Sequence, residues 1–292
     1  MNKISKVVIP IAGYGSRMFP STLGVVKAML PLVDKPVILY LIEEALAANM
    51  NEIIIVYSST QESVKNYLLL QDEAVLEHFK DKKEVIELKT LLSKIKLTFV
   101  LQKEQKGLGD AIASAKDAVS GEDFAVILGD NPILARDVKS YGVGQLYDEY
   151  QKENGYYIGV KEVDIKDASK YGIVSSKNIS GSTFLLDGMI EKPKDNPPSK
   201  YAALGRYILK NSIFDYLKDT TEGVGGEIQI TDALIKAIEH EKVYGTVLSG
   251  TCHDTGNRAG FVKANIDYAL DRDDVYPDIK KYLKDDVKDY FK

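Results

Sequence analysis

The stretch KVVIPIAGYGSRMFP, from Lys6 to Pro20, opens with an apolar run, Val7 to Ala12, that breaks at Gly13, passes Gly15 and reaches Arg17. A short run rich in Val and Ile and bounded by glycine predicts a buried strand leading into a turn. The glycines flanking Tyr14 let the backbone come close to a ligand, because neither carries a Cβ. Exposed N–H groups in such a turn, followed by a guanidinium, make a site for an anion such as a triphosphate. The same residues also fit a plain strand-to-helix turn with a solvated arginine. This stretch alone leaves both readings open.

Downstream, Ser21 to Pro36 carries two prolines and no clean period, which predicts a long ordered loop. Asp34 is placed to cap a helix beginning near Pro36, whose face is Ile38, Leu41, Ile42, Ala45 and Leu46. Glu52 to Tyr57 reads as a buried strand, Gln61 to Leu70 as a helix, and Lys80 to Lys94 as a helical excursion. Leu97 to Leu101 is a strand, Ala111 to Val119 a helix, and Phe124 to Leu128 a strand ending at Gly129-Asp130-Asn131. Strands alternating with helices predict a parallel sheet with crossover helices. Open sheets of this kind place ligands at the carboxyl ends of their strands, where Asp130 falls.

Beyond Asp130 the pattern changes. Tyr156 to Val163, Tyr171 to Val174, Gly188 to Glu191 and Ala202 to Leu209 read as strands without long helices between them. They predict a mixed sheet laid against the first as the second wall of a cleft. A glycine-rich loop, Gly223 to Gly226, precedes a helix with Ile230, Leu234, Ala237 and Ile238. Val243 to Leu248 is a late strand, followed by Asp254-Thr255-Gly256-Asn257 and a helix with Val262, Ile266, Ala269 and Leu270. In the tail, Ile279, Tyr282, Leu283, Val287 and Tyr290 fall near one helical face, which predicts docking on the body or on another subunit as a homo-oligomer, a dimer or a tetramer.

A chain of 292 residues, 45% hydrophobic and 28% charged, has an ordinary globular composition. Its formal net charge of −5 gives no basic field for a nucleic-acid partner. One cysteine, Cys252, excludes an intrachain disulfide and any multi-cysteine metal cluster. The amino terminus does not read as a signal peptide, and no segment approaches the ~18 apolar residues of a membrane span. The expectation is a cytoplasmic protein with neither nucleic-acid nor membrane partners.

GYGSRM is neither a dinucleotide fingerprint, because the third glycine is missing, nor a Walker A loop, because no Gly-Lys-Ser/Thr follows. Arg17 and Lys27 on one loop can neutralise a pyrophosphate leaving group; taken by itself, Lys27 reads more readily as a surface lysine. Asp130 and Asp254 each follow a predicted strand. If both strands belong to the central sheet, the two carboxylates can converge on one Mg²⁺, which takes one or two carboxylates plus phosphate and water oxygens. Aspartate after a strand is also a common turn residue. His253 is given no catalytic role, for want of a Ser or Cys nucleophile motif, and Cys252 reads as a half-buried small residue.

Taken in order, VIPIAGYGSRMFP, KAMLPLVDKPVILYLIEEA, LQKEQKGLGDA, VILGDN, KYGIV, IEKPK, ALGRYIL, GGEIQITDAL and HDTGNRAGFVKANIDYAL resemble the bacterial UTP–glucose-1-phosphate uridylyltransferases, or UDP-glucose pyrophosphorylases, within the wider sugar-phosphate nucleotidyltransferase family. The resemblance implies an α/β, Rossmann-like fold with a mixed, mostly parallel central sheet, flanking helices and a smaller sugar-binding β-rich subdomain. It implies one domain over residues 1–270, with a nucleotide-binding part about 1–135, a sugar-phosphate-binding part about 155–215, and a tail over 271–292. The implied reaction is Mg²⁺-dependent: UTP and glucose 1-phosphate give UDP-glucose and pyrophosphate. By motif position, Ala12, Gly13 and Gly15 approach the nucleotide, Arg17 and Lys27 hold phosphates, and Gln102 and Gly107 read the pyrimidine. Asp130 and Asp254 match the metal ligands, with Asp130 catalytic alongside Arg17 and Lys27. Gly172, Glu191 and Lys192 match the sugar-phosphate side. Thr22-Leu23 and Gly129-Asp130-Asn131 look instead like the thymidylyltransferase branch, so thymidylyl transfer is the alternative, with a weakly active regulatory paralogue as another.

Overall fold

The computed structural model describes residues 3–136 and 140–288. The main strands are β1 (Lys6–Pro10), β2 (Glu52–Tyr57), β3 (Lys96–Leu101), β4 (Phe124–Ile127), β5 (Tyr156–Glu162), β6 (Gly172–Ser175), β7 (Thr183–Leu185), β8 (Gly188–Glu191), β9 (Tyr201–Leu209) and β10 (Val243–Val247). Their order across the sheet is β7-β10-β5-β9-β4-β1-β2-β3. β4, β1, β2 and β3 are parallel, and β10 is parallel to β5. β9 runs antiparallel between β4 and β5.

The strands nearest the centre are buried on both faces, as parallel strands covered by crossover helices must be. In β1, Val7 and Ile9 pack into a core on one face and Val8 into a second core on the other. The first core is covered by helices α1 (Val37–Ala47) and, later in the chain, α3 (Val143–Tyr150). The second is covered by α2 (Leu108–Ser114) and α4 (Ile230–His240). Helix α5 (Arg258–Leu270) packs on the side of α1, where Tyr268 meets Tyr40 edge-on at 4.6 Å between ring centroids.

Several sequence expectations are corrected. The β-rich second half extends the central sheet rather than forming a separate sheet against it. β9 enters beside β4, and the antiparallel pair β6–β8 branches from it at Ala202 opposite Ile173. This branch still supplies the second wall of a cleft. The Ser21 to Pro36 loop contains short 3₁₀ turns and a small hairpin, Pro31–Leu32 against Lys35–Pro36. Asp34 does not cap α1, which starts without a side-chain cap; its carboxylate is taken by Arg272. Of the α5 residues named from the sequence, Ala269 is buried, Ile266 and Leu270 are half-buried and Val262 is exposed, while Ala264 and Tyr268 are also buried. In the tail, Ile279, Leu283 and Val287 are half-covered but Tyr282 is exposed; Tyr290 lies outside the described residues. Among the described residues no helix is long and apolar enough to cross a membrane.

Candidate active site

The carboxyl ends of β1 and β4 open into a cleft of two joined compartments, of about 430 and 420 Å³. All the sequence-predicted site residues line it. Ala12, Gly13, Gly15, Lys27, Gln102 and Gly107 lie in the first compartment; Gly172, Glu191, Lys192 and Asp254 lie in the second. Arg17 and Asp130 border both. Leu23, where the chain departs from the uridylyl pattern, is exposed and lines neither.

The first wall is the turn after β1. Its carbonyl oxygens are tied back into the protein. Buried Gln61 donates from Nε2 to Ile11 O at 2.9 Å and Gly13 O at 3.3 Å, and Thr22 Oγ1 donates to Gly15 O at 2.8 Å. Among the described residues, the N–H groups of Gly13, Tyr14 and Gly15 meet no protein acceptor. The turn therefore offers donors, which suits a phosphate chain. Across the mouth, Tyr14 Oη donates to Gln105 Oε1 at 2.6 Å.

Gln102 directly follows β3 and is buried. Its Nε2 donates to Asp110 Oδ2 at 2.6 Å and reaches Gly107 O at 3.4 Å. Gly107, at φ +111°, starts α2, and a Cβ there would stand 2.7 Å from Ile228 O. Only glycine fits so close an approach at that φ. The approach is a hydrogen-bonded one: Ile228 N donates to Lys106 O at 2.7 Å and Gly109 N to Ile228 O at 2.8 Å. QKEQKGLG and GGEIQITDAL are thus laced together along one edge of the cleft.

At the centre four charges converge. Lys27 Nζ lies 2.5 Å from Asp130 Oδ2, Arg17 Nη1 lies 3.4 Å from Asp254 Oδ2, and Arg17 Nη2 lies 3.8 Å from Asp130 Oδ2. A Cβ on Gly256 would stand 2.5 Å from Asp130 Oδ2, 2.7 Å from Arg17 Nη2 and 2.9 Å from Asp254 Oδ1. Both carboxylates therefore face one small space that the absence of a side chain keeps open. Their convergence has a different cause from the one the sequence predicts. Both predicted strands do belong to the central sheet, but β10 and β4 are separated there by β5 and β9; what brings Asp254 to Asp130 is Thr251–Cys252, which pairs with Ile133–Leu134 in a separate two-stranded ribbon. Fully buried Thr255 then fastens the two segments, donating from N at 2.9 Å and from Oγ1 at 2.8 Å to Asp130 O.

The second wall is the β6–β8 branch. Gly172 pairs directly with Glu191, and its missing side chain leaves room for Thr231 Oγ1 to donate to Glu191 Oε2 at 2.7 Å. Lys192 sits at φ +46°, uncommon for a non-glycine residue, with its Nζ 3.3 Å from Glu191 Oε1. Burial, and then the charge of Glu191, push the carboxyl of Asp232 upward. His253 is buried, and that burial holds its imidazole below the ordinary histidine range; burial likewise raises the Cys252 thiol. Gln61, Asp110, Thr231 and Thr255 escaped the sequence reading as individuals. Thr231, Asp110 and Thr255 nevertheless lie within quoted motifs, beside Asp232, Gly109 and Asp254.

A cleft of this kind on a mostly parallel sheet is what a nucleotidyltransferase presents. The Nucleotidyl transferase family model matches residues 6–270, and the chain belongs to that family. It is 40% identical, over 97% of its length and 99% of the relative's, to a protein of Staphylococcus epidermidis named UTP–glucose-1-phosphate uridylyltransferase. A protein of the same name from Mycoplasma pneumoniae is 41% identical over 95% of this chain and 97% of its own. Among solved structures, UDP-glucose pyrophosphorylase complexed with UDP-glucose superposes with a TM-score of 0.83 at 33% identity, covering 92% of this chain and 100% of that one.

Proposed function

We propose that this chain transfers the uridylyl group of UTP to glucose 1-phosphate, forming UDP-glucose and pyrophosphate. The observation that carries the reading is the cleft's division into two compartments with Arg17 and Asp130 on their shared border. A nucleotide in the first and a sugar phosphate in the second bring the attacking oxygen and the α-phosphorus together there. The names of relatives about 40% identical over nearly the whole chain support uridylyl over thymidylyl transfer.

In this reading the free N–H groups after β1 hold the triphosphate, and Gln102 with Gly107 reads the pyrimidine. Arg17 and Lys27 offset the negative charge that develops on the leaving pyrophosphate. Glu191, oriented by Thr231, accepts from sugar hydroxyls, and Lys192 holds the sugar phosphate. No covalent enzyme intermediate is needed, so the protein contributes positioning and charge. Asp130 and Asp254 suit a Mg²⁺ ion, which holds one or two carboxylates beside phosphate oxygens. Among the described residues no group of three or more His, Cys, Asp or Glu side chains gathers in one place. When bound, the ion stabilises charge on the transferred phosphorus.

The test is a matrix of UTP and dTTP against glucose 1-phosphate and galactose 1-phosphate with Mg²⁺, read as pyrophosphate release. UTP with glucose 1-phosphate is expected to give the highest kcat/KM; a clear preference for dTTP, or no release at all, overturns the reading. Lys192→Ala is expected to raise KM for glucose 1-phosphate by about tenfold or more, the scale of one charge-assisted contact, with KM for UTP little changed. Steady-state kinetics with each substrate varied in turn check this, and an effect confined to UTP would remove Lys192 from the sugar-phosphate side.

A further inference from the structure

We propose that Asp110 sets which base the nucleotide compartment accepts, by locking the direction of the Gln102 amide. The proposal rests on the uridylyl reading and extends it to a residue which that reading does not use. Gln102 is 3% exposed, so its amide cannot exchange partners freely with water. An amide can turn either its NH₂ or its oxygen toward a neighbour, and the neighbours decide which. An ionised carboxylate only accepts, and Asp110 Oδ2 stands 2.6 Å from the amide nitrogen. The next neighbour, Gly107 O at 3.4 Å, also only accepts. Rotating the amide would set its oxygen against both of them, with three acceptors and no proton between them. The remaining direction is therefore kept for Oε1, which meets no protein donor among the described residues. Gln102 lines the nucleotide compartment.

An oxygen fixed there requires a hydrogen-bond donor on the ligand. With position 3 of the base set against Oε1, uracil supplies an N–H there, whereas cytosine supplies a lone pair and has its donor on the 4-amino group instead. A site built to hydrogen-bond one group rejects the analogue that lacks it, because a buried polar atom is left unpaired. Asp110 is a positioning residue in this scheme: it touches Gln102, and Gln102 touches the base. It lies in the first turn of α2, whose start is fixed by the packing of Gly107 and Gly109 against Ile228.

Asp110→Asn tests the proposal with almost no change in shape. An asparagine can donate as well as accept, so the Gln102 amide becomes free to turn. Two measurements are made on the full chain: kcat/KM for UTP and for CTP with glucose 1-phosphate, and calorimetric binding of each nucleotide without sugar phosphate. The UTP-to-CTP ratio is expected to fall at least about tenfold in both, roughly one neutral hydrogen bond's worth of discrimination. Asp110→Glu, which keeps an acceptor-only group, is expected to retain more of the wild-type ratio than Asp110→Asn. If Asp110→Asn weakens both nucleotides equally, or changes neither, Asp110 is only structural and the proposal fails. If the wild-type chain binds UTP over CTP yet forms no UDP-glucose, the uridylyl reading fails instead, and the binding ratio alone judges Asp110.

Discussion

Asp130→Ala is expected to slow UDP-glucose formation at saturating substrates by at least about a hundredfold, the cost of removing one group aimed at developing charge. Two independent contacts make this residue the centre of the cleft. Its Oδ2 lies 2.5 Å from Lys27 Nζ, and it shares with Asp254 the small space beside Gly256. Removing the carboxylate frees Lys27 from its partner and leaves Asp254 facing that space without its companion carboxylate. The fold should survive, because Asp130 is anchored through its backbone: Thr255 holds its carbonyl oxygen by two hydrogen bonds, and alanine keeps that oxygen. A thermal melt close to wild type together with a collapsed rate is therefore the expected pair of results. A third readout does not depend on turnover: the Mg²⁺ concentration needed to strengthen UTP binding should rise in the variant. A variant that keeps its rate within tenfold, or loses it only by unfolding, would show that the carboxylate has no role in the chemistry.

The fold was most legible where a segment is buried on both faces. Glu52–Tyr57 matches the observed strand to the residue, because it is a short β-branched run with polar punctuation at its ends; Gly188–Glu191 matches as well, although only Met189 of it is buried and Ile190 is exposed. The site was legible only through its motifs. The second carboxylate lies just beyond a ribbon of two-residue strands, Ile133–Leu134 and Thr251–Cys252, too short to show any period. The residues that orient the site were hidden for a related reason. Thr255 reaches Asp130 across 125 positions and Thr231 reaches Glu191 across 40, and neither bond leaves a local pattern. Helix α5 shows the same limit. Its inward face is built from Ala264, Tyr268 and Ala269, whose small and amphipathic side chains do not stand out from exposed Val262. Asp34 looked like a cap because capping is local, but Arg272, far along the chain, offered its carboxylate a charged partner instead.

The same principle, long-range bonds holding a local site, governs the change expected to cost most stability. Arg206→Met should lower the free energy of unfolding by about 3–5 kcal/mol, because it leaves a buried carboxylate without its counter-charge. Arg206 is fully buried on β9 and grips Glu44 of α1 with two parallel bonds, Nε to Oε1 at 2.8 Å and Nη2 to Oε2 at 2.7 Å. Two-point recognition of this kind is among the stronger side-chain contacts. The network does not end there. Glu44 Oε1 also accepts from Val143 N at 2.9 Å, fixing the start of α3, and Arg206 Nη2 donates to Asn131 O at 2.5 Å. Asn131 immediately follows Asp130, so one buried guanidinium ties helix α1, packed on one face of the sheet, to the loop that carries the central carboxylate. Chemical denaturation measures the loss. The double variant Arg206→Met/Glu44→Leu should recover part of it, since no orphaned charge remains, although Val143 N–H stays unpaired. A separate consequence tests the link to the cleft. At a temperature where Arg206→Met is fully folded, its kcat should still fall several-fold, because Asn131 O has lost its donor and Asp130 its fixed neighbour. A destabilisation below about 1 kcal/mol would mean that the pair contributes no more than an exposed one, while full destabilisation with an unchanged kcat would confine Arg206 to the core.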